Sequence, residues 1–101
     1  MVGCTLTGDE LQNRLALIAE LNRDALRHYE RGDLVLTLHY AGIAAPRVRS
    51  MMRNEQTCCS FLIFALHKSA DEVRLTITAP AAAGAAAAAL FDEFIKGARR
   101  S

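Results

Sequence analysis

Tryptophan is absent, there are only two prolines, and Phe with Tyr make up 6% of the chain. So little proline leaves no room for a polyproline segment or a stiff linker. Neither sign of charge dominates: 12 Lys and Arg against 11 Asp and Glu leave a net charge of +1. That removes the basic footprint on which nucleic acid or an anionic membrane surface would draw. No apolar run approaches the roughly 20 residues of a membrane-spanning helix. The opening "MVGCTLTGDE" has neither a basic n-region nor a long apolar h-region, so no secretory leader is expected and a cytoplasmic location follows. Three cysteines are an odd number and too few for a disulfide framework, and in a reducing compartment they are expected as thiols.

What is present is a 51% hydrophobic composition over 101 residues. This is enough for one small domain spanning residues 1–101, with a real but modest core.

"TLTGDELQNRLALIAELNRDALRHYERGD" reads as one long helix. Thr7 and Glu10 fit a capping box. Leu11, Leu15, Ile18, Ala25 and Tyr29 recur at helical spacing with Asn22 in register, and Gly32 suits the C-terminal end. The "RGD" at 31–33 is taken as the turn that ends this helix, not as an adhesion signal. "DLVLTLHYA" alternates as a strand, with Leu34, Leu36, Leu38 and Tyr40 on its core face and Val35, Thr37 and His39 opposite. "PRVRSMMRNEQTCC" returns to helical spacing, with Val48, Met51, Met52, Glu55, Cys58 and Cys59 near one stripe and Arg47, Arg49 and Arg53 turned to solvent. Two strands follow around "KSADE", and the alanine-rich end, anchored by Leu90, Phe91, Phe94 and Ile95, is a last helix.

The expected fold is therefore α+β in the order α-β-α-β-β-α. Its three-stranded, mainly antiparallel sheet has order 1-3-2 and a split β-α-β core, with helices packed on it. Two open sheet edges and the wide apolar stripe of the first helix make a homodimer the expected assembly.

The chemistry-bearing feature is the adjacent pair Cys58 and Cys59, with Glu55 one helical turn before them. Spacings of i, i+3 and i+4 set one carboxylate beside two thiols. Such a group suits a soft or borderline ion, with thiolates as main ligands and Cys4 as a third sulfur if the N-terminal arm folds back. Mercury, arsenite, zinc, cadmium and copper(I) are the candidate guests, although the paired Cys spacing of a standard zinc module is missing. Two other readings stand beside this one. Free cysteines are among the most buried residue types, so the pair could be core packing. A disulfide between neighbours would need a strained ring, which leaves a bridge from Cys4 as the redox alternative. A nucleophilic role is disfavoured, because a helix C-terminus and a nearby Glu both raise a thiol pKa.

"EQTCCSFLIF" followed by "DEVRLTITAP" resembles a family of small bacterial proteins marked by a Glu-x-x-Cys-Cys-x-Phe-Leu-x-Phe segment. An N-terminal Cys-x-Leu stretch and a Leu-Thr-Ile-Thr-like strand complete the pattern. The match falls on Cys4, Leu6, Glu55, Cys58, Cys59, Phe61, Leu62, Phe64 and residues 75–80. Ser60 stands where that family commonly has proline. The family is loosely associated with heavy-metal handling, so the resemblance implies Cys4, Cys58 and Cys59 as ligands.

His28, His39 and His67 are read as surface or structural, His28 near the end of the first helix. The arginines of "RVRSMMR" are read as a solvated face. No Ser-His-Asp arrangement, phosphate loop or HExxH motif is present. Sequence alone thus favours a non-enzymatic protein that binds a soft metal ion or metalloid through Cys58, Cys59, Cys4 and Glu55, in an accessory or sensing role. The competing reading is a homodimeric interaction module whose cysteines are core.

Overall fold

The computed structural model describes residues 8–58 and 61–98, with the side chains of residues 8–11 and 58 excepted. Cys4, Cys59 and Thr7 of the expected capping box lie outside the described residues. Three α-helices, α1 (Gly8–Ala25), α2 (Ala45–Cys58) and α3 (Ala85–Phe94), accompany four strands. These are β1 (Leu26–Arg31), β2 (Val35–Ala41), β3 (Ile63–Lys68) and β4 (Glu72–Thr78). The sheet is antiparallel throughout, in the order β1-β2-β4-β3.

The α+β class stands, but the three-stranded sheet does not. The segment expected as the last turns of one long helix leaves α1 at Ala25 and continues directly as β1. The "RGD" turn joins two strands instead of ending a helix, closed by a hydrogen bond from the Gly32 amide to the Val35 carbonyl (2.8 Å). The physical reason is tertiary. A six-residue strand paired with residues 36–40 of β2 satisfies backbone groups that β2 would otherwise leave on an open edge. β3 is an edge strand paired only with β4.

All the strands' buried apolar side chains lie on one face. Leu36, Leu38 and Tyr40 of β2 sit opposite Ile77, Leu75 and Val73 of β4, and all six are fully buried. The helices cover this face with Ile18 and Leu21 of α1, Val48 of α2, and Leu90, Phe91 and Phe94 of α3. Phe94 meets Phe64 of β3 edge to face, with ring centroids 6.0 Å apart.

One polar residue is built into this core. The Asn22 side-chain amide donates to the carbonyls of Phe94 (2.8 Å) and Lys96 (2.7 Å), and its oxygen accepts from the Tyr40 hydroxyl (3.2 Å). It therefore caps the C-terminal end of α3 from within α1. Burial raises the Tyr40 pKa, which keeps the hydroxyl a donor. Just beyond, Gly97 has φ +82°, and a Cβ there would come within 2.5 Å of the Ala19 carbonyl oxygen, so only glycine allows this close passage of α1. Asn22→Ala strands the buried Phe94 carbonyl, the partly buried Lys96 carbonyl and the Tyr40 hydroxyl and is expected to cost about 1–3 kcal/mol. Urea unfolding at neutral pH checks this, and a loss well under that range would mean the site rehydrates.

Among the described residues no helix is long and apolar enough to cross a membrane.

Candidate metal centre

Among the described residues the other face of the sheet carries no helix. Val35 (41% exposed) and Ile63 (67%) stand on it, with Thr37, Thr76 and Thr78 between them. Two positions along each strand, a row crosses the sheet: His28 of β1 opposite His39 of β2, His39 opposite Arg74 of β4, and Arg74 opposite His67 of β3. All three histidines of the chain fall in this one row.

A β-bulge places His28 there. Leu26 pairs with Tyr40, but His28 pairs with His39, so Arg27 is an extra residue in β1. Without it Arg27 would oppose His39 and His28 would fall opposite Leu38, on the helix side. The bulge turns His28 and Glu30 to the uncovered face while Leu26 stays against the core.

His28, Glu30 and His39 form a group whose ligating atoms all lie within 4.8 Å of one another. The His28 and His39 rings stack, 4.0 Å between centroids and 14° from parallel. His39 is the fixed member. It is 9% exposed, and its Nδ1 lies 3.0 Å from Glu72 Oε2. A carboxylate can only accept, so Nδ1 is the donor to Glu72, and in the neutral imidazole this leaves the lone pair on Nε2. The hydrogen bond from His39 holds the Glu72 carboxyl below its ordinary range. His39 Nε2 is buried and has no hydrogen-bond partner among the described residues. Glu30 Oε2 stands 3.8 Å from it, beyond hydrogen-bond range but close enough to share an ion. His28 and Glu30 are exposed, so both can turn towards a common point. Two imidazoles, one of them oriented by a second carboxylate, and one ligand carboxylate suit zinc(II), copper(II) or nickel(II).

Of the residues expected as ligands, Cys4 and Cys59 lie outside the described residues, and Glu55 and Cys58 belong to α2, away from this row. Glu55 is fully buried beneath α1, where Arg14 Nε donates to its Oε2 and Arg14 Nη2 donates to Glu93 Oε1 at 3.1 Å. Burial pushes the Glu55 carboxyl up, and Arg14 offsets only part of that rise. The need for a partner on the apolar stripe is thus met by an arginine from α1. Cys58 is the last residue of α2, as expected of a cysteine at a helix end. Sequence reasoning gave Glu30 and Glu72 no role and read His28 as helical. The bulge that brings them together has no glycine or proline to announce it.

The chain matches no family model, no curated protein and no solved structure.

Proposed function

We propose that this protein binds a borderline divalent transition-metal ion at His28, Glu30 and His39 on the uncovered face of the sheet. The observation that carries the reading is His39: its Nδ1 is tied to Glu72, and its buried Nε2 has no partner among the described residues. A buried lone pair without a hydrogen bond carries a desolvation cost that an ion would offset. The role is binding, as an accessory or sensor. A dimer formed through this face would also cover Val35 and Ile63.

The vicinal cysteines are a second reading, and one observation favours it. α1 and α2 run antiparallel, with Arg14 against Glu55 at one end and Asp24 against Arg47 (3.2 Å) at the other. The chain thus enters α1 at Gly8 beside the end of α2 that delivers Cys58. Cys4, Cys58 and Cys59 would there hold mercury(II) or arsenite, with Glu55 already engaged by Arg14.

Native mass spectrometry of the reduced protein with zinc(II), copper(II), mercury(II) and arsenite separates the two. It also counts subunits. One zinc or copper ion per chain, retained in Cys58→Ser/Cys59→Ser and lost in a folded His28→Ala/His39→Gln variant, is the expected result. Uptake with the opposite dependence moves the site to the cysteines, and no uptake by the folded protein sinks both.

A further inference from the structure

The two edges of the sheet are built differently. β1 is bulged at Arg27, carries Arg27, Glu30 and Arg31, and is exposed at five of its six positions. Bulges and charges are the devices that keep a strand edge from pairing with another chain. β3 lacks the bulge, and its one fixed charge is Lys68 at its very end. Its register with β4 runs unbroken from Ile63 to Lys68, and it contains no proline. Among the described residues β3 pairs with β4 alone, so its outer side presents open backbone N–H and C=O groups. Phe64 and Leu66, on the helix side, pack against the core yet stay only partly buried, and Ile63 on the other face is 67% exposed. A regular, apolar, uncharged edge is a site for one more strand.

The pattern of β3 fits its own copy. Directly opposed residues of an antiparallel pair share a face, so when two identical strands pair about a two-fold axis one residue must stand opposite itself. With Ala65 in that place, Phe64 meets the partner's Leu66, Ile63 meets the partner's His67, and Lys68 lies beyond the ladder. An axis at Leu66 sets Phe64 against Lys68, and an axis at Phe64 shortens the ladder. The Ala65 register also joins the two helix-side layers. The row Leu36, Ile77, Phe64 runs on into the partner's Leu66, Leu75 and Leu38, which closes the half-open sides of Phe64 and Leu66. A lone extended peptide offers backbone groups but no second layer. We propose that β3 is a dimer interface, pairing antiparallel with β3 of a second copy about Ala65 to make one eight-stranded sheet. The metal centre lies at the far edge, on β1 and β2, and has no part in this pairing.

Sedimentation velocity over a concentration series tests this, with circular dichroism to confirm each fold. The parent chain is expected to sediment as a dimer. Ala65 is exposed in the single chain, so Ala65→Lys leaves the monomer intact, but it sets two ammonium groups against each other across the axis and weakens the dimer about fivefold or more. Ala65→Glu acts likewise. An equimolar mixture of the two variants recovers the association as a heterodimer, which native mass spectrometry reads directly. Val35→Lys changes the uncovered face away from β3 and leaves the dimer as it was. A parent that is monomeric at every concentration overturns the proposal. So does a dimer unmoved by Ala65→Lys, a mixture of the charge variants that forms no heterodimer, or a dimer that Val35→Lys dissociates.

Discussion

Arg14→Met is expected to lower stability by about 3–5 kcal/mol at neutral pH, because it leaves Glu55 as a buried charge with no counter-ion. A domain of this size has only about 5–15 kcal/mol in hand, so the variant will be partly unfolded at moderate temperature. The loss belongs to the stranded carboxylate, not to the ion pair as such. Replacing both partners, as Arg14→Met/Glu55→Leu, should return the urea midpoint to the parent value or above it, since well-packed apolar groups often match or exceed a buried pair. Glu93 is partly exposed and can turn to water once Arg14 is gone.

The pH dependence has a definite sign. The Glu55 pKa is raised in the folded protein by burial. It binds its proton more tightly folded than unfolded, so its ionisation costs stability as pH rises from the ordinary carboxylate value through the raised one. Removing Arg14 raises that pKa further, so the deficit of Arg14→Met grows as pH rises through the raised values and shrinks as acid neutralises Glu55. Urea midpoints across the acidic range check this, and a deficit independent of pH would mean that lost packing, not stranded charge, sets the cost.

The second large effect concerns the metal centre and rests on the proposed binding there. His39→Gln removes the one fixed ligand and is expected to abolish uptake of zinc or copper. Glu72→Gln leaves every ligand in place and removes only the carboxylate that orients the His39 ring, and affinity should fall about 10–100-fold. Isothermal titration of each variant, with circular dichroism to confirm the fold, gives both numbers. Affinity unchanged in Glu72→Gln would show that His39 needs no such support. Loss of the ion should accompany acidification in every form that binds it, since protons compete for the imidazole lone pairs.

Much of the architecture was legible because apolar spacing carries it. The alternation in β2 and β4 marked their core faces, and Val48, Met51, Met52 and Glu55 fell on the inner stripe of α2. β1 was not legible, for a reason visible in its residues. Its "LRHYER" is exposed at five of six positions and only intermediate at Leu26, so it lacks the alternation that betrays a strand. Tyr29 even continues the helical stripe of α1. Backbone pairing with β2 outweighs that local preference, and no pattern of side chains records it. The candidate site at His28, Glu30 and His39 was hidden by the same segment, since assigning His28 to a helix separates it from His39. Glu55 was singled out correctly as an acid needing a partner, but the partner lies on α1, 41 residues earlier in the chain.

The strand order also orders the assembly of the fold. β1–β2 and β3–β4 are hairpins joined by short turns, and such units close on the microsecond scale. The β2–β4 ladder is different: its seven pairs join strands separated by the whole of α2 and β3. The entropy of closing a long loop therefore falls almost entirely on one pairing event. Until it occurs, each hairpin keeps a bare inner edge, and the half-made sheet can add a strand from another chain as readily as its own.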